Sequence, residues 1–87
     1  MDELKKRIKE KAKAIPIVVR IGKMGVTKEL LSEIERHLNK KGIVKVKMLN
    51  NFTGEHDRFE TAGEIAEKTG STLIDVKGFV IILYKFG

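Results

Sequence analysis

The chain has 87 residues, 41% of them hydrophobic and 34% charged, and its 18 Lys and Arg against 12 Asp and Glu give a formal net charge of +6. This size predicts a single domain over residues 1–87, and the recurring Ile, Val and Leu exclude a disordered chain. The absence of cysteine excludes disulfides and thiolate metal sites. The longest apolar run, residues 79–84, is too short for a membrane span, and the N-terminus is charged from Asp2 onward, unlike a signal peptide. We therefore expect a cytoplasmic protein.

Residues 2–14 predict an amphipathic helix. Its apolar residues recur at helical spacing on one face and are Leu4, Ile8, Ala12 and Ile15. The opposite side is basic and includes Lys5 and Lys9. The helix ends before Pro16, since the residue before a proline disfavours the α conformation. The β-branched run at residues 17–21 then predicts a short, buried strand.

A second helix and a strand follow a short glycine loop, Gly22-Lys23-Met24-Gly25. Thr27 is a suitable N-cap for a helix over Lys28–Lys41, and Gly42 is a suitable left-handed C-cap. The segment Ile43–Met48 alternates, so that Lys45 and Lys47 share the solvated face of a half-buried strand.

The remainder predicts a polar loop over residues 50–57, a helix over Arg58–Thr69 and two strands, Thr72–Lys77 and 79–85. Thr61 and Glu64 match a capping box, which gives an alternative helix start at Thr61. The last strand is apolar on both faces and is expected inside the sheet. We expect Phe59 and Phe79 in the core, and Phe52 either to stack on a base or to anchor its loop.

The element order α-β-α-β-α-β-β predicts an α/β (α+β) fold. Right-handed strand–helix–strand crossovers would form a two-layer sandwich on a four-stranded mixed sheet.

The positive charge is concentrated in the first half of the chain. Residues 1–50 carry 14 Lys and Arg against 6 Asp and Glu, whereas residues 51–87 carry 4 against 6. A basic face of this kind is typical of proteins that bind nucleic acid or anionic membranes. A solvated, lysine-rich surface that only confers solubility is the alternative.

The glycine loop is the segment that most suggests ligand binding. Its two glycines allow close backbone approach, and the following helix begins with unpaired N–H groups where a phosphate can sit. Lys23, Lys28 and Arg20 would add positive charge, and Met24 an apolar surface for a base or sugar. A plain glycine turn is the alternative, because this short spacing is common.

Several segments together resemble the CRM domain (chloroplast RNA splicing and ribosome maturation), whose single-domain prokaryotic members are the YhbY-like proteins. They are Val19-Arg20-Ile21-Gly22-Lys23-Met24-Gly25-Val26-Thr27, Gly42-Ile43-Val44-Lys45-Val46-Lys47, Glu64-Ile65-Ala66-Glu67-Lys68-Thr69-Gly70 and the closing Ile82-Leu83-Tyr84-Lys85. The resemblance covers essentially the whole chain.

This resemblance implies RNA binding, association with precursors of the large ribosomal subunit, and a fold related to the C-terminal domain of translation initiation factor three. It also implies a KH-like role for the GxxG loop, in which Gly22, Lys23, Met24 and Gly25 contact the RNA backbone. The sequence departs from many members in placing Met24 after the loop lysine.

We therefore predict a non-catalytic, monomeric protein that binds structured RNA, needs no cofactor or metal and acts on no small-molecule substrate. Its predicted RNA-binding residues are Gly22, Lys23, Met24, Gly25, Arg20, Lys28, Lys45, Lys47, Lys5 and Lys9. Two alternatives remain open, an Alba-like chromatin protein that binds DNA or RNA and a protein-interaction adaptor. Alba-type proteins use a long β-hairpin arm, whereas Lys77-Gly78-Phe79 allows only a tight turn.

Overall fold

The computed structural model describes residues 2–50, 54 and 56–86, and within them it contains three helices and four strands. In chain order they are α1 (Asp2–Lys13), β1 (Val19–Ile21), α2 (Lys28–Lys41), β2 (Ile43–Met48), α3 (Arg58–Thr69), β3 (Thr72–Lys77) and β4 (Val80–Tyr84). The predicted order is confirmed, and the predicted bounds of α2, β2, α3 and β3 match those observed. Phe52 lies outside the described residues.

The two residues predicted to cap α2 do so. The Oγ1 of Thr27 accepts a hydrogen bond from the Leu30 N–H at 3.1 Å. Gly42 has a left-handed backbone with φ 78°, and its N–H donates to the Leu38 carbonyl at 2.7 Å. These caps satisfy backbone groups that the helix itself leaves unpaired, so α2 begins at Lys28, three residues after Gly25.

The helix α3 begins at Arg58 because Asp57 is its N-cap. The Oδ1 of Asp57 accepts hydrogen bonds from the N–H groups of Phe59, at 2.8 Å, and Glu60, at 3.1 Å. Thr61 is buried inside the first turn, where its hydroxyl donates to the Asp57 carbonyl at 2.8 Å. The alternative start at Thr61 is therefore wrong.

We expect Asp57→Ala to lower the free energy of unfolding by about 1 kcal/mol, because two N–H groups at the start of α3 lose their acceptor. Asp57→Asn is the matched control, since it keeps an oxygen acceptor at the same position. Urea unfolding of both variants measures the difference. Equal losses would show that the negative charge, acting on the helix dipole, matters more than the acceptor.

The four strands form one mixed sheet in the order β1-β2-β4-β3. β1 is parallel to β2, and β4 is antiparallel to both β2 and β3, so the apolar strand β4 lies inside the sheet as predicted. The Leu49 N–H donates to the Ile21 carbonyl at 2.9 Å, and the Met48 N–H to the Phe79 carbonyl at 2.8 Å. The ends of β1 and β2 and the β3–β4 turn therefore meet at one end of the sheet, here called the loop end.

Helices cover both faces of the sheet. The larger buried cluster lies between one face and α2 and α3, and its members include Ile21, Ile34, Leu38, Val46, Ile65 and Ile81. A smaller cluster lies between the other face and α1, and consists of Ile8, Ala12, Ile43, Ile74 and Ile82. The fold class and the four-stranded mixed sheet are confirmed, but α1 adds a third layer to the predicted two-layer sandwich. The second layer of helix is needed because successive strand side chains alternate and both faces carry apolar residues.

The apolar face of α1 is used for this packing. Ile8 is 3% exposed and Ala12 is 1% exposed, and Ile15 packs against the same cluster. The apolar face that an interfacial membrane helix would need is therefore buried against the sheet. In the described ranges of the chain, the helices are all too short or too polar to cross a bilayer.

Two aromatic residues predicted for the core lie at the surface instead. Phe59 is 57% exposed and Phe79 is 43% exposed. Phe59 lies in the first turn of α3 with its ring against the Arg58 guanidinium, and Phe79 belongs to the turn before β4, which begins only at Val80. Strand β1 is likewise shorter than predicted and begins at Val19.

Candidate functional site

The segment 22–25 forms a tight turn at the loop end of the sheet. The Gly25 N–H donates to the Gly22 carbonyl at 2.9 Å, the i to i+3 bond of a β-turn. Gly25 has φ 74°, a left-handed conformation that glycine adopts without strain. Between the glycines, Lys23 is exposed and Met24 is 84% exposed. The turn thus presents one cation and one flexible apolar side chain to solvent.

The cations predicted around this turn divide between two surfaces. Lys28 is exposed at the first position of α2, beside the turn. Arg20 precedes the turn, but its neighbours Val19 and Ile21 are buried towards α2 and α3. Because strand side chains alternate, Arg20 lies on the opposite face of the sheet, the face that α1 partly covers.

On that face, three exposed cations stand in one line across the strands. Arg20 of β1 is the register partner of Lys47 of β2, Lys47 is the partner of Val80 of β4, and Val80 is the partner of Lys77 of β3. We call Arg20, Lys47 and Lys77 the basic row. With strands about 4.8 Å apart, the row spans about 15 Å.

Within the basic row, the directly opposed pair Arg20 and Lys47 is electrostatically unfavourable in the free protein. Directly opposed like charges destabilise a sheet. Within the residues that the structure describes, the three cations form no ion pair with a carboxylate. An arrangement of this kind is suited to a polyanion, which would neutralise all three charges at once.

A groove of about 800 Å³ runs between α1 and this face of the sheet. Its cationic lining residues are Lys6, Arg7, Lys9, Lys13, Lys45 and Lys77. Two of its acidic residues already have partners, since Asp75 lies 4.0 Å from Lys9 and Glu10 lies 3.1 Å from Lys13. The groove therefore extends the positive surface of the basic row beneath α1.

The structure brings some of the predicted binding residues together and separates others. Gly22, Lys23, Met24 and Gly25 form the turn, with Lys28 beside it. Arg20, Lys45 and Lys47 share the α1 face with Lys9. Lys28 is separated from them by the sheet, because α2 packs on the other face. Lys5 is half-buried on α1 and, in the described part of the chain, is not among the residues that line the groove.

Lys77 is a member of the basic row that sequence reasoning missed. The basic character of β2 is visible in its alternation, whereas Lys77 is the single lysine of β3. Its position depends on the pairing Lys77–Val80–Lys47, which only the strand order provides. The tight turn at Gly78 is the one signal that could have found it, because this turn fixes Lys77 opposite Val80.

The histidines and carboxylates of the described residues do not cluster into a metal site. Taking residues 2–50, 54 and 56–86 together, no group of three or more His, Asp or Glu side chains could hold a metal ion. The described surface offers exposed cations, turn amides and the exposed aromatic rings of Phe59, Phe79 and Phe86.

Comparison with known proteins gives a family match and two related sequences. A model of the CRS1 / YhbY (CRM) domain matches residues 1–85. A protein of Methanocaldococcus jannaschii named as a probable RNA-binding protein is 29% identical over 83 residues, which cover 95% of this chain and 61% of that protein. The probable RNA-binding protein YqeI of Bacillus subtilis is 28% identical over 81 residues, which cover 93% of this chain and 82% of that protein. The chain thus spans less than two thirds of the M. jannaschii relative.

A solved structure has the same fold. It is the solution structure of a Staphylococcus aureus protein proposed to bind RNA, which this chain matches with a TM-score of 0.82 and 30% identity. The match covers 100% of this chain and 88% of that chain. The layered arrangement described above is therefore shared with an experimentally determined relative.

Proposed function

Since this chain belongs to the CRS1 / YhbY (CRM) domain family, we propose that it is a non-catalytic protein that binds structured RNA. Its relatives in M. jannaschii and B. subtilis are named as probable RNA-binding proteins. The observation that carries the proposal is the basic row, three exposed cations in one line across the sheet, of which Arg20 lies two residues before the 22–25 turn.

The two surfaces would contact RNA through different groups. At the turn, backbone amides and the side chains of Lys23 and Lys28 would hold phosphates. On the sheet, Lys47 and Lys77 would act as point charges, and the planar guanidinium of Arg20 could donate two hydrogen bonds to one phosphate. Such contacts recognise the shape of the RNA backbone more than its base sequence.

The family resemblance also implies a target, and we propose it here for this chain. The RNA would be a precursor of the large-subunit ribosomal RNA, bound by one copy of the protein in the cytoplasm. The GxxG turn would contact the RNA backbone as its counterpart in KH domains does.

We expect the protein to bind a large-subunit ribosomal RNA fragment more tightly than duplex DNA of equal length. Lys23→Gln should weaken RNA binding about 5- to 8-fold at 0.1 M salt, the contribution of one phosphate contact. Lys40→Gln is the control, because Lys40 is exposed in the last turn of α2, about 18 Å along the helix from Lys28. Filter binding or fluorescence anisotropy across a salt series measures both.

Each of the other outcomes would contradict part of the proposal. Equal affinity for RNA and DNA would favour a general nucleic-acid binder of the Alba type, although the short β3–β4 turn at Gly78 and Phe79 lacks the long arm of those proteins. Binding to neither nucleic acid would overturn the RNA proposal and favour a protein-interaction adaptor. An equal loss for Lys23→Gln and Lys40→Gln would mean that the turn makes no particular contact.

A further inference from the structure

A cation and two exposed aromatic rings form a cluster at the loop end of the sheet. The Arg58 guanidinium carbon lies 4.9 Å from the centroid of the Phe59 ring and 5.5 Å from that of Phe79. A cleft of about 320 Å³ is lined by these three residues together with His56 and Asp57. The rings keep 57% and 43% of their surface exposed although the domain has an apolar core available.

Hydrogen bonds fix the backbone from which both rings project. The Phe59 N–H donates to the capping carboxylate of Asp57 at 2.8 Å, which places the ring in the first turn of α3. The Phe79 carbonyl accepts a hydrogen bond from the Met48 N–H at 2.8 Å, which ties the β3–β4 turn to the end of β2. An aromatic side chain has only two torsions, so on a fixed backbone it loses little conformational entropy when it binds a ligand.

The cluster lies close to the 22–25 turn. In the sheet, β2 lies between β1, which leads into that turn, and β4, which begins just after Phe79. The end of β1 and the start of β4 are two strand spacings apart, which is about 10 Å. A nucleic acid whose backbone contacts Lys23 would therefore place a neighbouring nucleotide within reach of Phe79 and Arg58.

We propose that Arg58, Phe59 and Phe79 form a stacking platform for an unpaired base of the RNA that binds at the loop end. This inference rests on the proposed function and adds the class of RNA. Bases stack on aromatic rings and on guanidinium planes, and the nearby cation strengthens binding of a polyanion. The Asp57 carboxylate in the same cleft is directed to the backbone, where its Oδ1 accepts two hydrogen bonds of α3.

The consequence is a preference for RNA that has unpaired nucleotides beside a helical segment. In a continuous duplex, the bases are stacked within the helix and cannot reach the platform. The phosphate contacts of the turn and the basic row would be the same for both kinds of RNA.

The test compares two RNAs of equal length, a continuous duplex and the same duplex with an internal loop. Phe59→Ala should weaken binding to the looped RNA about tenfold, as loss of one stacked base does, and leave duplex binding and the salt dependence unchanged. Phe86→Ala is the matched control, because Phe86 is 43% exposed and makes an edge-to-face contact with Tyr84 beyond the other end of β4. A 2-aminopurine base placed in the loop reports stacking directly through quenching of its fluorescence.

The outcomes separate this inference from the proposed function. No loss for Phe59→Ala, or an equal loss for both RNAs, would overturn the platform while leaving RNA binding intact. Failure of the wild-type protein to bind either RNA would overturn both proposals. Because Phe59 is exposed, its removal should leave the free energy of unfolding nearly unchanged, which urea unfolding checks.

Discussion

Neutralising two cations of the basic row, in the double variant Arg20→Gln/Lys47→Gln, is expected to weaken RNA binding about 25- to 60-fold at 0.1 M salt. Each phosphate that a protein neutralises releases counterions, so the logarithm of the affinity falls with the logarithm of salt by about 0.7 to 0.9 per contact. Loss of two contacts should therefore reduce that slope by about 1.4 to 1.8. The two side chains are register partners on adjacent strands, so a single RNA backbone can engage both.

The matched control is Lys40→Gln/Lys41→Gln, which removes the same charge from the last turn of α2. This control should leave the affinity and the salt slope nearly unchanged. Urea unfolding of the Arg20→Gln/Lys47→Gln variant gives an independent readout. Relieving the repulsion between these two cations should not lower the free energy of unfolding. If both double variants lose the same affinity, net charge alone attracts the RNA and the basic row is not a binding site.

The helices and strands were predictable wherever local chemistry determines them. Thr27 and Gly42 bound α2 through hydrogen bonds within a few residues, and these residue types are the preferred caps. The alternation in Ile43–Met48 depends only on the period of a strand. Local hydrogen bonds and side-chain period are properties of the sequence, so they do not require knowledge of the neighbouring elements.

Features that depend on non-local pairing were not predictable. Lys77 joins the basic row only because β4 pairs with both β2 and β3. Phe59 has the hydrophobicity of a core residue, but it lies in the first turn of α3 beside Arg58. The position of α1 on the second face follows from the apolar residues that β2 and β4 direct there, notably Ile43 and Ile82. Sequence reasoning therefore identified the loop residues of the candidate site but missed Lys77 beside them, and the binding role of all these residues stays a prediction.

Ile81→Ala is expected to lower the free energy of unfolding by about 4 kcal/mol, which is a large share of the stability of a domain of this size. Ile81 is 0% exposed and belongs to the larger cluster, which α2 and α3 enclose from one side. Removing its side chain leaves a cavity among residues held by three elements, so the site cannot easily collapse.

Ile82, the next residue along β4, lets the cost of the same truncation be compared between the two faces of the sheet. Ile82 is 7% exposed and faces α1 alone, and the groove opens beside it. We expect Ile82→Ala to cost about 2 kcal/mol, because a single helix can move to fill part of the space and water already reaches the groove. Urea unfolding of the two variants measures both losses. Equal losses would mean that α1 is packed as firmly as α2 and α3. A smaller loss at Ile82 is the expected result, and it would mean that α1 relaxes into the vacated space more readily than α2 and α3 do.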